Sequence, residues 1–187
     1  MSRPVDLVER AARGDADAFD LLMTDALDRL YALARLILRD TDLAEDAVQE
    51  ALIHCWRELP RLRDATRFDA WLHRLLVNAA TDQHRRRRRF HASVSLIVDP
   101  PVERDFAADL ATSDELRVAF ERLTVEQRAV LVLHHYLGLS SVEIADVLAV
   151  PAGTVKSRLH YAAGAMRAAV DAGSRGAMGS RTGEGSR

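Results

Sequence analysis

The sequence predicts an all-α fold built from two small helical domains. Apolar residues recur at helical spacing along most of the 187 residues, and no stretch alternates polar and apolar residues well enough to predict a strand. The periodicity stops between residues 91 and 112, where "DPP" blocks helix propagation and acidic residues accumulate. We therefore expect a first domain at 1–90, a flexible acidic linker, a second domain at 113–171, and a disordered Gly/Ser-rich tail at 172–187.

The composition restricts the class of protein. With 48% hydrophobic residues, the chain is globular and can bury one ordinary core or two small ones. No run approaches 18 apolar residues and the N-terminus lacks a hydrophobic signal-peptide core, so we expect a soluble, cytoplasmic protein without a membrane partner. The lone Cys55 lies in an apolar helical pattern, which favours a buried core residue.

The sequence contains no pattern typical of an enzyme or a metal site. Its seven histidines have no ligand spacing with Cys55. There is also no catalytic triad, phosphate-binding glycine loop or carboxylate pair with a plausible site. We therefore expect no metal, no other cofactor and no catalytic activity.

Three helices are predicted in the first domain. Asp15 can cap the first, and the second begins near Asp42, which has capping-box spacing with Glu45, and ends before Pro60. The polar loop "RLRDATRF" then leads to a third helix at about residues 69–86. The periodicity predicts that this helix buries Trp71, Leu72, Leu75, Leu76 and Ala79.

The second domain is predicted to contain a helix-turn-helix. Thr124 with Gln127, and Ser140 with Glu143, have the capping-box spacing that opens a helix. After the turn "VPAG", a last helix is predicted at about residues 152–170. A short helix, a tight turn and a second helix form the arrangement that places the second helix in the DNA major groove. A plain helical hairpin with a polar outer face is the alternative.

The last helix is predicted to have one buried face and one face that can contact DNA. Val155, Leu159 and Ala162 recur at helical spacing and are expected to pack on the preceding helix. Gly153 keeps the first turn small, so the helix N-terminus can approach a phosphate. In the turn, Ala149 is strained if its backbone is left-handed. The candidate DNA-binding residues are Thr154, Lys156, Ser157, Arg158, His160 and Tyr161.

Charge is segregated along the chain, although the net charge is only −2. Asp40–Glu50 contains five acids and no base, whereas Arg61–Arg89 contains nine arginines and three aspartates. The five consecutive arginines Arg85–Arg89 are either a solvated spacer or half of a nucleic-acid site. A run of this kind carries no base code, so its function in a site is sequence-independent phosphate attraction.

Two segments resemble bacterial RNA polymerase sigma factors of the extracytoplasmic-function (ECF) group. "GLSSVEIADVLAVPAGTVKSRLH" resembles region 4, and "DTDLAEDAVQEALIHCWRELPRLRDATRFDAWLHRLLVNAATDQHRRRR" resembles region 2. They occur in the family's order with a linker between them. The resemblance implies a sigma factor that binds core RNA polymerase, directs it to specific promoters and helps to open the minus-10 element. It also implies an anti-sigma factor as a further partner.

The resemblance also implies where the polymerase and the promoter bind. The acidic face of the second helix would bind the polymerase clamp helices, while the second domain reads the minus-35 duplex and contacts the flap. The core-binding candidates are Asp42, Glu45, Asp46, Gln49 and Glu50. The third helix and its loop would capture an unpaired base of the melted non-template strand. The minus-10 candidates are Arg61, Arg63, Asp64, Thr66, Arg67, Arg74, Asn78, Arg85 and Arg86.

Two other functions remain open. A stand-alone regulator that binds duplex DNA as a dimer would share the helix-turn-helix. A protein-interaction module that has lost DNA binding would explain why "HYAAGAMRAAV" contains only one arginine, with a helix-weakening glycine that costs about 1 kcal/mol. We expect Trp56 and Trp71 to be core residues rather than base-stacking residues.

Overall fold

The computed structural model describes residues 4–93 and 114–181, and this part of the chain consists of helices and short turns without a strand. The predicted all-α fold class is thus confirmed. Beyond residue 93 the predicted linker lies outside the described residues, as do residues 182–187 of the predicted tail. None of the described helices has the length and apolar character needed to cross a membrane. The α-helices are α1 (Val5–Ala12), α2 (Ala16–Leu38), α3 (Thr41–Glu58), α4 (Phe68–Ser93), α5 (Asp114–Glu121), α6 (Val125–His135), α7 (Ser141–Leu148) and α8 (Ala152–Arg181).

Helices α2, α3 and α4 form the core of the first domain. Leu33 and Ile37 of α2 and Leu72 and Leu76 of α4 are at most 1% exposed. The buried side of α3 consists mainly of alanines, so that its neighbours can approach closely. Cys55 is also fully buried, as predicted. Burying each of the four large side chains of α2 and α4 stabilises the fold by about 1.5–3 kcal/mol.

Aspartate caps determine where α2 and α3 begin. The carboxylate of Asp15 accepts a hydrogen bond from the Ala18 amide at 3.0 Å, which confirms the predicted cap. Helix α3 begins at Thr41, close to the predicted start near Asp42, but its cap is Asp40, which accepts from the Leu43 amide at 2.9 Å, and not Asp42. The reason is a left-handed residue at the end of α2, which turns the chain and leaves the next residue extended.

Helix α4 continues to Ser93 instead of ending near residue 86, so the run Arg85–Arg89 lies within a helix. Arginines of this run form ion pairs with carboxylates at two positions of the α3 segment. These pairs hold the end of α4 against α3. The local sequence does not predict these ion pairs, because the paired residues lie 36 and 47 positions apart in the chain.

The two tryptophans differ from each other in burial. Trp56 is 47% exposed and touches Phe19 edge to face, with ring centroids 4.8 Å apart. Its prediction as a core residue is therefore wrong. Trp71 is half-buried and packs on the fully buried Phe68 at 6.0 Å. Trp71 packs against the buried core, whereas Trp56 presents about half of its surface to solvent.

The second domain follows its sequence signals closely. Both capping boxes form: the Thr124 and Ser140 hydroxyls accept from the amides of Gln127 and Glu143, whose side chains accept from the cap amides in return. Ala149 ends α7 with a left-handed φ of 52°. This is the strained turn conformation that the sequence raised as a possibility.

Helix α8 is longer than the sequence indicated. Val155 and Ala162 are fully buried, as their spacing predicted, while Val170 is 47% exposed. The helix continues to Arg181, into the segment expected to be disordered.

The two domains pack directly against each other. Helix α6 lies against α2 and α4, and α7 lies against α4. Val130 and Leu133 of α6 belong to the same buried cluster as Ile37 and Leu76 of the first domain. The sequence made no prediction of this placement, which determines how the candidate sites are presented.

Candidate nucleic-acid interface

One face of α4 carries the candidate minus-10 residues. Arg74, Asn78 and Arg85 recur at helical spacing opposite Leu72 and Leu76, and all three are exposed. A carboxamide offers both a donor and an acceptor to a base edge, while a guanidinium suits a phosphate. The structure thus groups these three predicted residues on one side of the helix.

The loop before α4 is ordered by its own side chains. Asp64 accepts from the Thr66 hydroxyl at 2.5 Å and from the Thr66 amide at 3.0 Å, and these hydrogen bonds lower the pKa of the Asp64 carboxyl. The loop is therefore a small preformed unit. Arg61 and Arg63 are exposed beside it, whereas Arg67 extends to Asp146 of α7, with 3.0 Å between guanidinium and carboxylate.

The arginine run is divided between several contacts. The two terminal nitrogens of Arg86 bond to the Glu50 carboxylate at 3.2 and 3.3 Å, and Gln83 donates to the same carboxylate at 2.9 Å. Arg87 forms an ion pair with Asp40. Arg86 was predicted to bind DNA and Glu50 to bind polymerase. In the structure these two residues form an ion pair with each other.

The outer face of α3 is acidic and then apolar. Of the predicted core-binding residues, Asp42, Glu45, Asp46 and Gln49 are exposed on this face and Glu50 lies at its flank. Ile53 and Trp56 continue the same face, with 45% and 47% of their surfaces exposed.

From the sequence, Trp56 was predicted to be a core residue and Ile53 was assigned no role. The helical spacing does contain the signal, since both lie on the side opposite the alanines. We call Asp42, Glu45, Asp46, Gln49, Ile53 and Trp56 the α3 face.

The start of α8 presents a polar face. Lys156, Ser157, His160 and Tyr161 are exposed, and the Ser157 hydroxyl donates to the Thr154 carbonyl at 2.9 Å. In the preceding turn, the Val150 amide donates to the Ala145 carbonyl at 3.2 Å, and the Thr154 amide donates to the Pro151 carbonyl at 2.9 Å. Four of the six predicted residues are therefore accessible in this arrangement.

Arg158, by contrast, lies in a cleft between the two domains. The cleft has a volume of about 270 Å³, and α4 contributes Asn78 and Arg85 to its lining. Glu126 lies in the same cleft. Burial raises the pKa of its carboxyl, but hydrogen bonds from its own backbone and from Thr124, together with the charges of Arg158 and Arg85, lower this pKa overall. Its carboxylate therefore remains ionised at neutral pH beside the cations.

A buried cation joins the two domains. Arg128 of α6 is only 7% exposed, and its Nε donates to the carbonyl of Ile37 in α2 at 2.6 Å. Its Nη1 donates to the Leu123 carbonyl at 2.7 Å. Burial lowers the pKa of Arg128 to about 10, so it is still charged at neutral pH. No sequence pattern indicates this position for Arg128, because arginines are rarely buried.

These features define a helical protein with an acidic outer face in its first domain and a helix-turn-helix in its second. The model of Sigma-70 region 2 matches residues 22–90, and that of Sigma-70 region 4 matches residues 113–166. The chain belongs to the sigma-70 family, in the ECF group of RNA polymerase sigma factors. These are transcription initiation factors and not enzymes.

Curated relatives and solved structures resemble the chain over most of its length. It is 37% identical to ECF RNA polymerase sigma factor SigM of Mycobacterium tuberculosis, over 82% of this chain and 77% of the relative. It is 28% identical to SigW of Bacillus subtilis, over 86% and 92%. CnrH, solved with the cytosolic domain of CnrY, has a TM-score of 0.64 at 27% identity and covers 90% of this chain and 97% of its own. RpoE of Bartonella quintana, solved with the anti-sigma factor NepR, has a TM-score of 0.67 at 25% identity over 82% and 96%.

Proposed function

We propose that this chain binds core RNA polymerase through the α3 face and directs it to specific promoters. The observation that carries the proposal is the α3 face itself, on a chain that also presents a helix-turn-helix. Its acidic half suits a basic protein surface and repels DNA, whereas Ile53 and Trp56 offer apolar contact area for a protein partner. We assign the polymerase clamp helices to this face and the flap to the second domain.

The minus-10 element is assigned to α4 and its loop. Asn78 is the proposed base-reading residue, because its carboxamide is exposed and can donate to and accept from one base edge. Arg74 and Arg85 are proposed to hold phosphates on either side. The remaining minus-10 candidates are Arg61, Arg63, Asp64, Thr66, Arg67 and Arg86.

The minus-35 duplex is assigned to the start of α8. Lys156 and Ser157 lie in the first turns, where a recognition helix approaches the base edges, and His160 and Tyr161 follow on the exposed face. Thr154 and Arg158 complete the proposed set. We further propose an anti-sigma partner, as in the CnrH and RpoE complexes, and action in the cytoplasm, where the polymerase works.

Run-off transcription with core polymerase and a promoter library tests the proposal. We expect promoter-specific transcripts only when the chain is added to core. A dimeric regulator would instead bind specific duplex DNA tightly without polymerase, and an interaction module would give neither result. Absence of any promoter-specific transcript would refute the proposed function.

Asn78→Ala tests the assigned site. We expect about tenfold less open complex, the effect of losing one base contact of about 1.4 kcal/mol, with unchanged affinity for core. Asp28→Ala, at an exposed position of α2 outside the assigned surfaces, is the matched control. Loss of core binding in the Asn78 variant would contradict the role assigned to α4.

A further inference from the structure

Glu50 of α3 accepts hydrogen bonds from two side chains of α4. The two terminal nitrogens of Arg86 lie 3.3 and 3.2 Å from its carboxylate oxygens, and the side-chain nitrogen of Gln83 lies 2.9 Å from one of them. The Glu50 side chain is only 23% exposed, so solvent competes little for this carboxylate. A bidentate pair between a guanidinium and a carboxylate fixes the orientation of both groups. Arg86 is therefore held in one position by α3.

A second carboxylate of the α3 segment holds the next arginine. Arg87 forms an ion pair with Asp40, whose other carboxylate oxygen caps α3 by accepting from the Leu43 amide. The Arg87 and Asp40 side chains are 29% and 25% exposed, so this pair is also partly shielded from solvent. Like charges on neighbouring turns of a helix repel each other, and the two carboxylates offset this repulsion. Arg87 thus helps to hold the end of α4, as Arg86 does.

Arg89 lies on the same side of α4 as the assigned minus-10 residues. It follows Arg85 by about one turn and Asn78 by about three turns. Both arginines are exposed, and the Nε of Arg89 donates to the Arg85 carbonyl at 3.4 Å. This contact directs the Arg89 side chain back along the helix towards Arg85. Arg86, by contrast, is turned about 100° away from Arg85 around the helix axis.

The arginines differ in what a phosphate would have to displace. At Arg86 it would replace a bidentate carboxylate that also accepts from Gln83. At Arg89 it would compete with a 3.4 Å hydrogen bond to a backbone carbonyl. Arg85 lies 3.9 Å from Asp82, and both side chains are more than half exposed, so this pair contributes little. A phosphate therefore meets less competition at Arg85 and Arg89.

We propose that the arginine run has two functions, which the carboxylates of the α3 segment separate. The two arginines that these carboxylates bond hold α4 in place. Arg89 joins Arg85 as a contact to a phosphate of the melted non-template strand. Glu50 and Asp40 are positioning residues, since they act on DNA only through the arginines that they hold. The identity of the strand rests on the proposed function, whereas the division of the run rests on the ion pairs and the helical spacing.

The salt dependence of binding tests which arginines contact phosphates. Each phosphate contact to a single strand adds about 0.7 to the slope of log affinity against log salt concentration. For holoenzyme and a single-stranded oligonucleotide with the minus-10 sequence, Arg89→Gln should lower this slope by about 0.7. Arg86→Gln, from the same run, should lower it by less than half as much. No fall for Arg89→Gln, or an equal fall for Arg86→Gln, would overturn the division.

The control for the salt slopes is an exposed arginine in the second domain. Arg122→Gln removes the same charge at a position outside every assigned surface, so the slope should be unchanged. Core polymerase contributes equally to all the slopes, and differences between variants therefore report this chain. Circular dichroism verifies that the variants are folded. A fall for Arg122→Gln as large as that for Arg89→Gln would mean that the slope follows net charge, and would refute the assignment of Arg89.

Exchange of charges tests the positioning role of Glu50. Glu50→Arg or Arg86→Glu alone places like charges opposite each other, so each should reduce open complex by about fivefold or more. The double variant Glu50→Arg/Arg86→Glu restores an ion pair in reverse, and open complex should recover to within about twofold of wild type. Saturating core polymerase keeps changes in core affinity out of the measurement. A double variant as impaired as Arg86→Glu alone would contradict the positioning role, because a phosphate contact at Arg86 cannot be restored in this way.

The two proposals can fail separately. If no promoter-specific transcript forms with core, the proposed function is wrong, and the salt slopes still decide the division, because they need no promoter. If transcription is promoter-specific but Arg86→Gln and Arg89→Gln have equal slopes, the division is wrong and the function stands.

Discussion

Arg128→Met removes the buried cation between the domains while keeping a long apolar side chain. Two short hydrogen bonds are lost, to the carbonyls of Ile37 and Leu123 at 2.6 and 2.7 Å. Hydrogen bonds to a charged group contribute about 1.5–3 kcal/mol each, and the unpaired carbonyls remain partly buried. Relief from burying a charge offsets part of this loss. We expect the free energy of unfolding to fall by about 2–4 kcal/mol.

Urea denaturation at pH 7 and 25 °C, followed by circular dichroism, measures this change by linear extrapolation. Arg122→Met is the matched control, since Arg122 is exposed and six residues earlier in the chain. It should change stability by no more than about 0.5 kcal/mol. An Arg128 variant as stable as this control would refute the argument that the cation joins the domains.

Three further results are expected. Ser140→Ala removes the hydroxyl that accepts from the Glu143 amide, so thermal unfolding of the second domain should show a loss of about 1 kcal/mol, and an unchanged midpoint would contradict the cap. Hydrogen bonds from Thr66 lower the pKa of Asp64. Their stabilisation of the loop should therefore be complete at a pH above the ordinary carboxyl pKa, and it should be lost as the pH falls through the lowered pKa of Asp64. The Thr66 amide shift in NMR would follow this titration, and a midpoint at the ordinary carboxyl pKa would count against it. Trp56→Ala should weaken core binding about tenfold in a competition assay, and full affinity would exclude Trp56 from the interface.

Local signals predicted six of the eight described α-helices, and missed α1 and α5. The capping boxes at Thr124 and Ser140 and the strained turn at Ala149 each depend on residues within four positions, so the sequence contains all of the relevant chemistry. The cap of α3 was placed two residues late, at Asp42, because Asp40 becomes a cap only after the left-handed Arg39 has turned the chain. That conformation depends on the packing of α2.

The candidate site was less accessible to sequence reasoning. Asn78 and Arg85 were placed correctly on one face of α4, because helical spacing decides which residues share a face. That they share a cleft with Arg158 depends on the packing of the two domains, which no periodicity predicts. Trp56 was misassigned to the core because its apolar side chain was taken as buried, although it lies on the side of α3 opposite the buried alanines.

The five arginines of α4 illustrate how structure divides a uniform run. A helix turns by about 100° per residue, so consecutive side chains point in different directions. Arg86 and Arg87 therefore bond to carboxylates of the α3 segment, while Arg85 faces the cleft between the domains. Arg88 and Arg89 are exposed, and the Nε of Arg89 donates to the Arg85 carbonyl one turn earlier at 3.4 Å. Part of the run thus holds α4 against α3, and the phosphate attraction proposed for the run would depend on the arginines that these pairs leave exposed.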